Sequence, residues 1–135
     1  MHILFLCVAN SARSQMAEGL ARAIAPSSVR VSSAGSAPTS VRPEAIAALQ
    51  EIAIDITDHR SKSASEFSAE DVDQIITLCA EQACPTGLFG VERLHWPVED
   101  PATDAGIDEE PLARFRRTRD VIAAKLEAHF DSWGD

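Results

Sequence analysis

Ile3-Leu4-Phe5-Leu6-Cys7-Val8-Ala9-Asn10-Ser11-Ala12-Arg13-Ser14-Gln15-Met16 decides the architecture. Ile3–Cys7 is an unbroken apolar run, the pattern of a strand buried on both faces. Val8–Ser14 is small and mostly polar, a loop. From Gln15 the period changes: Met16, Leu20 and Ile24 recur every fourth residue, which predicts a helix that ends near Pro26. The chain thus opens strand–loop–helix. The apolar start has no basic leader and no long apolar region, so it reads as a strand and not as a secretion signal.

The same alternation continues outward. Val29-Arg30-Val31 is a second short strand, and Pro43 opens a helix with Ile46, Leu49 and Ala53 on one face. Gln74–Leu78 carries Ile75-Ile76 and predicts a third buried strand; Arg93–Trp96 is a weaker fourth. Leu112, Phe115, Arg119, Ile122, Leu126 and Phe130 form one stripe of a long C-terminal helix, with Arg119 expected to snorkel. The segments Ser27–Ser40 and Ser61–Ser68 read as loops or short helices. Strands alternating with helices predict an α/β fold: a four-stranded parallel sheet with helices on both faces, three layers in one domain over residues 1–135. Such sheets bind ligands at the carboxyl ends of their strands. Cys7 and Cys79 both stand at such ends.

Bulk composition excludes several functions. A net charge of −9 argues against a nucleic-acid partner, because phosphate backbones need basic patches. No run of 18 apolar residues exists, so no membrane span is expected. The expected location is the cytoplasm and the expected state a monomer, from an acidic surface without an obvious apolar patch. Three cysteines, an odd number, do not make a structural disulfide framework and are too few for an all-cysteine zinc site. The four histidines lack metal-ligand spacing; His59 and His95 read as structural. No cofactor is expected.

Cys7-Val8-Ala9-Asn10-Ser11-Ala12-Arg13-Ser14 carries the chemistry. Cys-x5-Arg alone is a weak pattern, but a strand–loop–helix turn aims backbone N–H groups and a helix N-terminus at one point. An oxyanion there meets those donors and the forked guanidinium of Arg13. The same positive field favours the thiolate of Cys7, a nucleophile, and Ser14 is placed to donate a hydrogen bond to it.

Cys7–Ser14 followed by Gln15-Met16-Ala17-Glu18-Gly19 resembles the opening of the thioredoxin-coupled arsenate reductases, which share the low-molecular-weight protein tyrosine phosphatase fold. The likeness runs on through Ser33-Ala34-Gly35, Ile54-Asp55-Ile56, Thr77-Leu78-Cys79, His95-Trp96 and Asp100-Pro101-Ala102 to the C-terminal helix. It implies that Asp100 is the general acid for the departing oxygen, the other nearby acids being a solvated face. It also implies a relay. Cys7 binds arsenic, Cys79 attacks Cys7, and Cys84 attacks Cys79, leaving a disulfide for thioredoxin. A phosphatase needs only Cys7, so Cys79 and Cys84 separate an arsenate reductase from the alternative, a low-molecular-weight phosphatase acting on phosphotyrosine or another phosphomonoester. The chain has no tyrosine. Ala102-Thr103-Asp104 stands where the phosphatases carry an aromatic pair, which suits a small inorganic anion. A non-catalytic anion sensor has no use for a nucleophile and an acid. Some members hold potassium beneath the loop through residues matching Asn10, Glu18, Ser33 and a later aspartate. Lys62 occupies that last place, so its ammonium is expected to replace the cation.

Overall fold

The computed structural model describes residues 1–7, 10–68, 70–79, 91–98, 101 and 111–131. Four strands, β1 (His2–Cys7), β2 (Arg30–Gly35), β3 (Gln74–Cys79) and β4 (Glu92–Val98), form one parallel sheet in the order β2-β1-β3-β4. Helices α1 (Arg13–Ile24), α2 (Pro43–Gln50) and α3 (Pro111–Asp131) complete the elements described, with a short 3-10 turn at Ala64–Glu66. The α/β alternation of the sequence is realised, as is the four-stranded parallel sheet. No described helix is long and apolar enough to cross a membrane.

The core divides by strand parity. Ile3, Phe5, Ile76 and Leu78 face α1, α2 and α3, with Met16, Leu20, Leu49, Phe115, Ile122 and Leu126 filling the space between. Leu4, Leu6, Ala34 and Ile75 face the other way, against Val72 and the partly buried Ala64 and Phe67. Alternate residues of a strand point to opposite faces, and β1 is wholly buried because both faces are covered. Gly19 lets α1 approach closely: a Cβ there would stand 2.7 Å from Ile56 and 2.8 Å from Leu49.

Several boundaries differ from the sequence reading. Helix α1 begins at Arg13, two residues before the apolar period, because its first turn is buried by polar bonds instead of apolar packing. Strand β2 runs on to Gly35, so Ser33-Ala34-Gly35 is strand and not loop. Ala53 lies past the end of α2, exposed and with a left-handed φ of 65°, and does not share that helix's buried face. Arg119 does not snorkel into water; its Nη1 donates to the Ala48 carbonyl at 2.8 Å and to Glu51 at 3.0 Å, joining α3 to α2.

The topology gathers the carboxyl ends of all four strands along one edge. Cys7 is level with Gly35 of β2, and Leu6 pairs with Thr77 of β3. Continuing that register puts Cys7 beside Leu78, one residue short of Cys79. The two cysteines therefore stand on neighbouring strands spaced about 4.8 Å apart, offset by one residue along them.

Candidate active site

The site grows from the turn between β1 and α1. Asn10 is fully buried with φ 49°, the left-handed region that asparagine tolerates better than most residues. That geometry turns the chain back toward the helix. No side chain caps α1: Ala12 sits at its N-cap and no acid occupies its first turn. Its first N–H groups and its positive dipole end thus face the loop. An anion is the partner they suit.

A buried network fixes the loop. The Asn10 side-chain oxygen accepts from the Lys62 backbone N–H at 2.8 Å, an unambiguous donor, so the amide orientation follows. Its nitrogen then donates to Ser14 Oγ at 2.7 Å. Cys7 Sγ lies 2.9 Å from that same oxygen. Ser14 Oγ thus accepts from Asn10 and shares a second hydrogen bond with the cysteine sulfur, in which either atom can donate. The Asn10 carbonyl accepts from Ser61 Oγ at 2.7 Å, and Gln15 Nε2 donates to Asn10 Oδ1 and to the Arg60 carbonyl, each at 2.9 Å. Gln15 Oε1 in turn accepts from His59 Nδ1 at 2.9 Å, while Arg22 donates to His59 Nε2 at 3.1 Å. His59 is therefore the neutral Nδ1–H tautomer. Burial pushes its pKa down, against the opposing pull of Glu18.

One turn further along α1 lies a charged cluster. Glu18 is 3% exposed. Ser33 donates to it at 2.6 Å, Arg22 pairs with it at 2.5 Å, and Lys62 Nζ stands 3.8 Å away. Lys62 Nζ also donates to the Arg60 carbonyl at 3.1 Å, and burial lowers its pKa. The ammonium thus stands beside Glu18, the carboxylate to which Ser33 also donates. Among the described residues no cluster of three or more His, Cys, Asp or Glu could hold a metal ion.

Arg13 is 4% exposed and crosses the ends of the neighbouring strands, its Nη1 donating to the Val98 carbonyl at 3.1 Å and reaching that of Leu78 at 3.5 Å. Buried Arg114 of α3 donates its Nε to the Pro101 carbonyl at 3.1 Å. The Arg42 backbone N–H donates to the Ser11 carbonyl at 2.9 Å, tying the start of α2 to the loop.

Of the residues singled out from the sequence, Cys7, Asn10, Ser11, Ala12, Arg13 and Ser14 come together here, and Cys79 ends the adjacent strand. Val8, Ala9, Cys84 and Asp100 lie outside the described residues. The sequence reading missed Gln15, Ser61 and Arg114; His59, read as structural, bonds Gln15 and Arg22. The partners of Gln15, Ser61 and Arg114 lie 5 to 51 residues away.

Comparison with known proteins agrees with this geometry. The family model of the low molecular weight phosphotyrosine protein phosphatases matches residues 2–133. An arsenate reductase of Halalkalibacterium halodurans is 41% identical over 127 residues, 93% of this chain and 91% of its own. A solved arsenate reductase in a phosphate-binding state superposes with a TM-score of 0.83 at 32% identity, covering 97% of both chains. A thioredoxin-dependent arsenate reductase of Corynebacterium glutamicum gives 0.72 at 28% identity, over 97% of this chain and 60% of that one.

Proposed function

The chain belongs to the low molecular weight phosphotyrosine protein phosphatase family, and within it we propose that this protein is an arsenate reductase, converting arsenate to arsenite with thioredoxin as the electron donor. One observation carries the chemistry: the buried Cys7 Sγ, at the head of the uncapped helix α1, shares a 2.9 Å hydrogen bond with Ser14 Oγ. A cysteine nucleophile at the mouth of an uncapped helix N-terminus suits an oxyanion substrate. The arsenate reductase relatives point to the substrate, and the thioredoxin-dependent one to the donor.

Arsenate enters the loop Val8–Ser14, held by its backbone N–H groups and by Arg13. The Cys7 thiolate attacks arsenic, and an oxygen departs as water with the proton that Asp100 supplies. Cys79 then attacks the Cys7 sulfur. The sulfur–arsenic bonding pair stays on arsenic, which leaves as arsenite, and a Cys7–Cys79 disulfide remains. Cys84 attacks Cys79, releasing Cys7 as a thiolate and forming a Cys79–Cys84 disulfide. Two thiols have become one disulfide and arsenic has gained two electrons; reduced thioredoxin restores the pair. Such a cycle needs a reducing compartment, in keeping with a cytoplasmic, monomeric, single-domain enzyme of residues 1–135. Lys62 supplies the charge that potassium would bring, so potassium is not required.

The test follows NADPH oxidation with thioredoxin, thioredoxin reductase and arsenate, alongside aryl-phosphate hydrolysis, for wild type, Cys79→Ser and Cys84→Ser. The reductase reading expects arsenate-dependent oxidation that both substitutions abolish, while the weak hydrolysis survives in all three proteins. No arsenate-dependent oxidation with brisk hydrolysis throughout would instead make the chain a phosphatase with spare cysteines.

A further inference from the structure

Three backbone carbonyls follow one another at the bend between β1 and α1, and a donor takes each. That of Asn10 accepts from Ser61 Oγ at 2.7 Å, that of Ser11 from the Arg42 N–H at 2.9 Å, and that of Ala12 from the Met16 N–H at 2.8 Å. A planar trans peptide points its N–H opposite to its C=O. A carbonyl held by its donor therefore turns the N–H of the next residue the other way. Among the described residues no bond occupies the N–H of Ser11 or of Ala12. Asn10, at its left-handed φ of 49°, supplies the kind of bend at which successive N–H groups gather on one concave side and bind an anion.

Two of those three donors are backbone groups, which any residue supplies. Only Ser61 contributes a side chain. Its segment is fixed to the sheet: the Gly35 N–H at the end of β2 donates to the Lys62 carbonyl at 2.8 Å, and Gly35 bridges Ser63 in parallel. The Lys62 N–H donates to Asn10 Oδ1 at 2.8 Å, so two successive residues hold the backbone and the side chain of Asn10. Gln15 Nε2 also reaches the Asn10 carbonyl, at 3.3 Å, but its shorter bonds of 2.9 Å go to Asn10 Oδ1 and to the Arg60 carbonyl. Ser61 is the principal donor to that carbonyl.

We propose that Ser61 is a positioning residue of the oxyanion site: its hydroxyl holds the Asn10–Ser11 peptide in the orientation that offers the Ser11 N–H to the bound anion. The proposal rests on the reading of this turn as an oxyanion loop. Without the hydroxyl the peptide is free to rotate, and a rotated peptide presents a carbonyl oxygen, an acceptor, where an anion needs a donor. The loss falls on the hold over the anion and leaves the Cys7 nucleophile in place.

The test titrates inorganic phosphate into the reduced full chain by calorimetry, for wild type, Ser61→Ala and Ser61→Thr, with melting temperatures and the Ser11 amide resonance followed alongside. Ser61→Ala is expected to bind phosphate about 10-fold more weakly, the worth of one hydrogen bond to a charged group, and to show a diminished Ser11 response. KM for arsenate should rise by a similar factor, with kcat within about threefold. Ser61→Thr keeps the hydroxyl and should stay within about threefold of wild type throughout. Unchanged phosphate affinity in Ser61→Ala overturns the proposal. So does an equal loss in both variants, which traces the effect to packing and not to the hydroxyl. A wild type that does not bind phosphate fails the oxyanion reading itself, and that result is read before either variant. Ser61→Val, shaped like threonine without its hydroxyl, takes the place of Ser61→Ala should the alanine variant not fold.

Discussion

Helix α1 carries two polar clusters one turn apart, the first buried and the second reaching the surface through Arg22, and they are built on different physics. The first, Cys7, Asn10, Ser14 and Gln15, is a short chain of hydrogen bonds without a charged pair. The second, Glu18, Arg22, His59 and Lys62, is a balance of charges at distances from 2.5 to 3.8 Å, softer in geometry. His59 and Gln15 join the two. The first cluster holds the loop around Cys7; the second keeps a buried carboxylate from standing unpaired beneath it. Damage to the first should register in turnover, damage to the second in stability and its response to pH.

The largest expected effect breaks the second cluster. Glu18→Ala removes the carboxylate that pairs with the half-buried Lys62, and leaving a buried charge uncompensated costs about 3 kcal/mol. Urea unfolding measures it; a loss below about 1 kcal/mol would mean the cluster is solvated and the contrast false. Next is the bond to Cys7. Asn10→Asp replaces the donor to Ser14 by an acceptor, so the serine hydrogen is drawn to the new carboxylate and is no longer available to Cys7. Arsenate-dependent turnover should fall about 10²-fold, and an active Asn10→Asp enzyme would show that the Ser14 bond does not govern Cys7.

A smaller effect lies in pH. Burial holds the pKa of His59 below its ordinary value, so the unfolded chain takes up the proton first as pH falls. Stability is complete above the ordinary histidine value of about 6.5 and declines as pH drops toward the folded value. His129 shifts in the same direction, also through burial. His59→Gln should therefore flatten this acid limb without abolishing it, and melting temperatures between about pH 7 and 5 would show an unchanged slope if His59 is not the group concerned. The smallest effect is an absence of response. Potassium added to the wild type should leave arsenate turnover unaltered, and clear activation would mean that Lys62 does not fill the cation's place.

The two clusters were unequally legible. Cys7, Arg13 and Ser14 sit in one short stretch between an apolar run and a helical period, so sequence alone located the oxyanion loop. The charge cluster was visible only where the family resemblance matched Lys62 to a cation ligand. His59 and Gln15, the joint between the clusters, carried no local signal, and Arg114 looked like one more arginine on an arginine-rich helix. Ala53 was misplaced for a related reason: its spacing fitted the helix face, but a left-handed turn ended the helix first.

By itself, then, the sequence determined the alternation of strands and helices, the parallel sheet and the cysteine loop at the end of its first strand. Periodicity and side-chain chemistry are properties of neighbours along the chain. Tertiary structure alone decided that Lys62 N–H orients Asn10, that Asn10 bonds Ser14, and that buried arginines grip the chain at Val98 and Pro101. Those bonds join residues 4 to 85 positions apart. Their energy exists only once the sheet has brought the strand ends together, because a hydrogen bond's direction is set by where its partner stands in space.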